Sequence, residues 1–197
     1  MRGFYFITDN TLTDVPEEDQ VRTAVKAGAG IIQYREKDRE TARAKAPILK
    51  RLCGNTLFIV NDFPDVARQV DAGVHIGQDD TEYSEARRIL GNGVIGVTVH
   101  SVNEAIAAEK MGADYLGVSP IFATATKKDA GAPAGPKLIS DIKKHVKIPL
   151  AAIGGISRDN VDSVILAGAD MVCAISATII GNIEDNVRWF ADKMKNR

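Results

Sequence analysis

What most constrains this chain is an alternation that runs from one end to the other. Short apolar runs at 3–8, 30–34, 56–61, 73–76, 94–98, 114–118, 149–153 and 170–175 have the length and composition of buried strands. Between them lie amphipathic stretches at 17–27, 39–52, 84–90, 101–111, 136–146, 157–167 and 182–195, with a weaker helical pattern over 63–70. Strands covered on both faces read as continuous apolar runs, and parallel neighbours need a crossover helix between them. One junction is used three times: AGAG (27–30), MGAD (111–114) and AGAD (167–170) each put a glycine where a helix would end and a strand soon begin. Ser101 and Glu104 make an S-x-x-E capping box at the head of one helix. The mean spacing between strand starts is about 24 residues, enough for a strand, a helix and two short loops. Eight such units predict a (β/α)8 TIM barrel in a single domain over 1–197. An open doubly wound sheet would carry a Gly-rich turn after its first strand, and here that turn reads TDNTLTD.

Composition narrows the partners. With 25 basic against 26 acidic residues in 197, there is no global field to gather nucleic acid or an acidic membrane, so any anionic ligand must be held by a local cluster. The longest apolar stretches fall well short of the roughly 18 residues that a membrane span needs. The start, MRGFYFITDN, has only a short apolar run before Asp9 and no small-residue cleavage site, so no secretory leader is expected. Cys53 and Cys173 lack metal-ligand spacing and read as small buried residues in a reducing, cytoplasmic setting.

In a barrel, polar residues at the C-terminal ends of strands belong to the mouth rather than to packing. After the second strand, QYREK places Gln33, Arg35 and Lys37 at one parity and hence toward one face. An unpaired cation there would cost roughly 3–5 kcal/mol, so Arg35 needs an anion, either a ligand phosphate or a carboxylate such as Glu36 or Asp38. After the third strand come Asn61 and Asp62, and after the fourth come His75, Gln78, Asp79 and Asp80. Carboxylates at the ends of adjacent strands can share a hard cation, with waters and phosphate oxygens completing its octahedron. Taken singly, Asp62 reads first as a helix cap and Asp79-Asp80 as a turn, and it is their pairing on neighbouring strands that raises the metal reading. His75 and His100 follow strands and could line the mouth, although either alone reads first as a satisfied structural histidine, whereas His145, beside Lys143, Lys144 and Lys147, is expected on a solvent-facing helix.

The segment 119–136, SPIFATATKKDAGAPAGP, has little periodicity of either kind, and a loop of that length in a compact barrel is usually a lid or a binding loop. Thr124, Thr126, Lys127 and Lys128 set hydroxyls beside cations, a mixture suited to phosphate oxygens, although a solvated surface loop would use the same Gly and Pro. The seventh strand ends in IGGIS, with Gly154 and Gly155, and the eighth in ISA, with Ser176. Loops after the last two barrel strands commonly hold a phosphate. Two phosphate-suited regions result, one around Arg35, Lys37 and Lys127, the other around Gly155 and Ser176. With Asp62 and Asp80 nearby, the first suggests a magnesium diphosphate.

The ordered set YFITD (5–9), QYREK (33–37), VND (60–62), GVHIGQDD (73–80), IGVTVHS (95–101), ADYLGVSPIFATATKKDAG (113–131), AIGGIS (152–157) and AGADMVCAIS (167–176) resembles the thiamine-phosphate synthase family. The resemblance runs nearly end to end, and the TxTKK loop together with GQDD makes it specific. It implies a barrel transferase joining 4-amino-5-hydroxymethyl-2-methylpyrimidine diphosphate to 4-methyl-5-(2-hydroxyethyl)thiazole phosphate, with thiamine phosphate and pyrophosphate as products. By matching positions, Arg35, Lys37 and Lys127 would hold the diphosphate, and Asp62 and Asp80 would bind Mg2+. Gln33 and Asn61 would contact the pyrimidine diphosphate, with His75 and Thr98 also in the substrate site. Thr124 and Thr126 would meet the thiazole phosphate from the lid, and Gly155 and Ser176 from below. Thr98 stands where the family usually has Ser, and Ala123 where Pro is common. A sister family of thiazole tautomerases departs from the diphosphate and lid pattern that Arg35, Lys37, Asp80 and Lys127 complete here. A non-catalytic, phosphate-sensing regulator on the same barrel would bind such ligands without turnover. The partners implied are small-molecule substrates, with no nucleic acid or membrane, and a homodimer is left open.

Overall fold

The structure is a computed structural model and describes residues 1–78, 80–126 and 131–196. Strands β1 (Gly3–Ile7), β2 (Ile31–Tyr34), β3 (Leu57–Asn61), β4 (Gly73–Ile76), β5 (Ile95–Val99), β6 (Tyr115–Val118), β7 (Leu150–Ala152) and β8 (Met171–Val172) are all parallel and close in chain order into one barrel. Helices α1 (Glu17–Lys26), α2 (Arg39–Cys53), α3 (Pro64–Gln69), α4 (Tyr83–Leu90), α5 (Val102–Met111), α6 (Lys137–Lys143) and α7 (Val161–Leu166) fill the crossovers. After β8 come a short α8 (Ile175–Ile179) and the closing α9 (Ile183–Lys195). The expected (β/α)8 architecture is the one observed.

Strand alternation divides the apolar residues into two cores. One side of each strand, for example Phe4, Phe6, Ile32, Phe58, Val60 and Val74, packs against the helices, and Phe190 of α9 stacks on Phe4 at 5.3 Å. The opposite side fills the barrel with Tyr5, Ile7, Ile31, Ile59, Tyr115, Ala151, Met171 and Cys173.

The thrice-used junction has one physical cause. Gly28, Gly112 and Gly168 take φ of 95°, 96° and 99°, a left-handed conformation that glycine adopts without a Cβ penalty. The alanine after each, Ala29, Ala113 and Ala169, donates its N–H to the carbonyl five residues back, closing a Schellman turn over the helix end. In the second and third junctions the aspartate that follows ties in the neighbouring strand, Asp114 Oδ2 accepting from Ile95 N at 2.8 Å and Asp170 Oδ2 from Leu150 N at 3.0 Å; Gly30 stands at that place in the first. The capping box also forms, Ser101 Oγ accepting from Glu104 N while Glu104 Oε2 accepts from His100 N.

Three element boundaries differ from the sequence expectation by three or four residues. The eighth run, expected as a strand to 175, is a two-residue strand whose chain turns at Ala174 (φ −137°, ψ 75°) into α8. Thr178 Oγ1 donates to Ala174 O at 2.7 Å and secures that turn. An apolar run this short has no periodicity to separate strand from helix. Helix α7 begins only at Val161, because Asn160 ties residues 155–157 into a turn, accepting from Ser157 N and donating to Gly155 O, both at 2.9 Å. Helix α6 stops at Lys143, so His145 lies in the turn beyond it rather than on a helix, exposed as expected. No helix among the described residues is long and apolar enough to cross a membrane.

Candidate active site

A cavity of about 350 Å³ opens at the C-terminal ends of the strands. Gln33, Arg35, Lys37, Asn61, Asp62, His75, Asp80, Thr98, Thr124, Thr126, Gly155 and Ser176 all line it. Residues expected from six different strand ends and from the 119–136 loop are thus brought to one place. Lys127, Lys128 and Asp79 lie outside the described residues. A wider groove of about 520 Å³ at the opposite end, beside Arg68, Asp71 and Arg88, receives no strand C-terminus, so the convergent polar set marks the smaller cavity as the site.

The acidic and basic groups sit on one wall. Arg35 is paired, but not with Glu36 or Asp38. Its Nη1 donates to Asp9 Oδ2 at 3.0 Å, and the Asp9 carboxylate is fully buried. Glu36 instead accepts from the backbone of Lys37 and Asp38, and Asp38 caps α2 by accepting from Thr41 N at 2.8 Å. Asp9 is the residue that the sequence reading missed; it follows β1 as the other site residues follow their strands, and that position was the available signal. Its Oδ1 accepts from Thr11 N, Thr11 Oγ1 and Leu12 N, so the carboxylate is fixed before it meets Arg35. One Arg35 donor is used on Asp9, leaving others of its fork for an anion in the cavity.

Lys37 Nζ donates to Asp62 Oδ2 at 2.6 Å. Asp62 does not cap α3, whose N-cap is Phe63 with no side-chain cap. Its φ of 63° is rare for a residue other than glycine, and such outliers persist where the surrounding structure holds them. Here Asp62 N donates to His75 O at 2.9 Å, which turns the carboxylate toward the mouth. Burial raises the Asp62 carboxyl pKa, the hydrogen-bonding approach of Asp80 adds to that rise, and Lys37 opposes it. Asp80 Oδ2 also accepts from Gly77 N at 2.6 Å. Two carboxylates held this close, one largely desolvated, make an all-oxygen pair that a hard divalent cation fits. Among the described residues no group of three or more His, Cys, Asp or Glu side chains is gathered for a metal, so solvent and ligand oxygens would supply the remaining positions.

Farther in, Gln33 Nε2 donates to Asn61 Oδ1 at 2.8 Å, which leaves Asn61 Nδ2 as a donor and Gln33 Oε1 as an acceptor toward the cavity. His75 lies between Tyr115 Oη and Thr98 Oγ1, each at 2.9 Å. Ile7, Ile153, Cys173 and Ile175 supply apolar lining, and burial raises the Cys173 thiol pKa well above its usual value, so it is no thiolate nucleophile.

On the opposite wall, Gly154 and Gly155 take φ of 104° and 60°. The space that glycine leaves at 155 is used by the protein itself: a Cβ there would lie 2.3 Å from Ala123 O and 2.9 Å from Phe122 Cβ. Close backbone approach was expected toward a phosphate; the structure shows it toward the start of the 119–136 loop, whose Phe122 N donates to Gly154 O at 2.9 Å. Thr124 and Thr126 follow from that anchor, and Ser176 faces them from the first turn of α8.

Fold and mouth together define a (β/α)8 barrel with a strand-end site that gathers cations, carboxylates and hydroxyls around an apolar floor. The family model described as Thiamine monophosphate synthase matches residues 4–178. The thiamine-phosphate synthase of Methanosarcina barkeri is 48% identical over 198 residues, covering 98% of this chain and 90% of that one. That of Shouchella clausii is 48% identical over 183 residues, covering 90% and 85%. A solved thiamine phosphate pyrophosphorylase from Pyrococcus furiosus superposes with a TM-score of 0.91 at 36% identity, covering 98% and 96% of the two chains. The chain belongs to the thiamine monophosphate synthase family, transferases of thiamine biosynthesis.

Proposed function

We propose that this chain joins 4-amino-5-hydroxymethyl-2-methylpyrimidine diphosphate to 4-methyl-5-(2-hydroxyethyl)thiazole phosphate, releasing pyrophosphate. The observation that carries the residue assignment is the division of the cavity into an ionic wall, built by Arg35, Lys37, Asp62 and Asp80, and a facing Gly155–Ser176 wall beside the loop threonines. Arg35 and Lys37, with Lys127, hold the diphosphate as it leaves, Lys37 exchanging its bond to Asp62 for phosphate oxygens. The Gln33–Asn61 pair offers one donor and one acceptor, complementary to the ring nitrogen and amino group of an aminopyrimidine. The pyrimidine methylene C–O bond breaks first, and the cation left on the pyrimidine is captured by the thiazole nitrogen. Thr124 and Thr126 from the loop, with Gly155 and Ser176 from below, bind the thiazole phosphate and so orient that nitrogen. Asp62 and Asp80 are assigned to Mg2+, which when bound neutralises charge on the departing diphosphate. Small-molecule substrates are the partners; a cytoplasmic setting is consistent with two buried free cysteines.

The test is a coupled assay on the purified chain. Pyrophosphate release is expected only with both substrates and magnesium present, and EDTA should abolish it. A folded sample that binds both ligands but releases no pyrophosphate would favour the phosphate-sensing regulator and sink the synthase assignment.

A further inference from the structure

Two tyrosines lie inside the barrel beneath the cavity, at positions where apolar side chains are the usual filling. Tyr5 and Tyr115 are 2% and 0% exposed, and their hydroxyls meet at 2.7 Å. Tyr115 Oη also lies 2.9 Å from His75 Nδ1, and His75 Nε2 lies 2.9 Å from Thr98 Oγ1. Of these four side chains, His75 and Thr98 line the cavity. The barrel is hollowed to fit the row. A Cβ on Gly96 would lie 2.0 Å from Tyr115 Cζ, and one on Gly117 would lie 2.9 Å from His75 Cε1. His75, Gly96 and Tyr115 share one register row across β4, β5 and β6, with Thr98 and Gly117 paired in the next row toward the mouth.

A count of hydrogens gives this row a direction. Burial pushes the pKa of both phenols upward, so each keeps its hydrogen and has one to donate. Among the described residues Tyr5 Oη meets one hydrogen-bond partner, Tyr115 Oη, and its hydrogen goes there. Tyr115 must then donate to His75 Nδ1, which requires a neutral ring carrying its hydrogen on Nε2. That Nε2–H donates to Thr98 Oγ1, and the Thr98 hydrogen is left for the cavity. Any arrangement with a hydrogen on His75 Nδ1 leaves one of the two buried tyrosine hydrogens without an acceptor among the described residues, which native interiors avoid.

We propose that Tyr5, Tyr115 and His75 form a one-way hydrogen-bond chain that makes the Thr98 hydroxyl an obligatory donor to a ligand acceptor in the cavity, with Tyr115 as a positioning residue. The acceptor is an anionic diphosphate oxygen, an identity that rests on the proposed function; the direction of the chain does not.

Two measurements test it. In full-length protein with isotope-labelled histidine, assigned through His100→Gln and His145→Gln, His75 should give a single Nε2–H tautomer by nuclear magnetic resonance, and a hydrogen on Nδ1 overturns the chain. In magnesium-containing buffer, Thr98→Val should weaken binding of inorganic pyrophosphate about tenfold, and Thr98→Ser should restore it to within about twofold. Tyr115→Phe should weaken binding about fivefold in the native background and not at all in the Thr98→Val background, with Tyr5→Phe giving the same pattern at smaller size. Equal losses in both backgrounds, in variants that melt cooperatively, overturn the coupling. A native protein that neither binds pyrophosphate nor releases it from the substrate pair refutes the proposed reaction, while the tautomer still decides the direction of the chain.

Discussion

Arg35 can stand at the lip of a barrel because a carboxylate was placed there to receive it. The Asp9 side chain is fully buried, its Oδ1 satisfied by three donors from residues 11–12 and its Oδ2 by the guanidinium. Its backbone is held as well: Asp9 N donates to Gln20 Oε1 at 3.2 Å and Gln20 Nε2 to Asp9 O at 3.0 Å, so α1 anchors the loop that positions the cation. Replacing one carboxylate oxygen by an amide nitrogen would keep the shape and turn a donor toward Arg35. Asp9→Asn should therefore cost about 1–3 kcal/mol of stability, because a partly buried charge loses its partner. The same change should lower kcat/KM for the diphosphate substrate about tenfold or more through mispositioning of Arg35. Denaturant unfolding and steady-state kinetics on one preparation check both; a stable, fully active variant would show that Arg35 is held by something other than Asp9.

At the scale of elements, strand ends and helix junctions were legible in the sequence because their signals are local. The Gly–Ala junction, the capping box and the parity of Gln33, Arg35 and Lys37 each depend on a few consecutive residues. The pairings of Tyr115 and Asp9 were not legible, since they depend on partners 26 to 110 residues away in sequence, although the place of Asp9 just after β1 was. The α8 helix was hidden for a different reason: Cys173 to Ile180 carries two hydroxyls among apolar residues and no charge to mark a solvent face, and the Thr178 hydroxyl bond reveals the turn. Gly155 lines the cavity, but the space beside it has a use that the sequence does not show. The sequence predicts a phosphate approaching there, yet the structure fills that space with Phe122 and Ala123. Gly155→Ala should thus disturb the loop before it disturbs any ligand. With φ of 60° and a Cβ driven to 2.3 Å from Ala123 O, the expected cost is about 1–3 kcal/mol. KM for the thiazole phosphate should rise more than KM for the diphosphate, because the displaced segment leads into Thr124 and Thr126. Equal changes in both constants would mean that the loop does not transmit the strain.

Across the whole molecule, the two ends of the barrel divide the work. The C-terminal end collects charges that face a cavity, at a cost in burial that the Asp62 carboxyl records. The N-terminal end spends its charges on closing loops. Arg87 on α4 donates to Gly91 O at 2.7 Å, Gly93 O at 2.6 Å and Gly112 O at 3.3 Å, and pairs with Asp114 Oδ2 at 3.0 Å. Asp114 Oδ2 in turn accepts from Ile95 N, so one guanidinium fixes where both β5 and β6 begin. Arg87→Ala removes several hydrogen bonds to backbone carbonyls that water can only partly replace, and should destabilise the fold by about 2–3 kcal/mol. For a chain of this size that corresponds to a fall in Tm of roughly 5–10 °C. Lysine cannot reach three carbonyls and a carboxylate from one planar fork, so Arg87→Lys should recover only part of the loss. Below the lowered Tm, KM for both substrates should stay within about twofold of native, because conservation of shape at the mouth depends on the strand C-termini and not on this corner. Thermal unfolding paired with kinetics decides it: a shift in KM at native-like stability would mean that the corner held by Arg87 is coupled through β5 and β6 to Thr98 and His75.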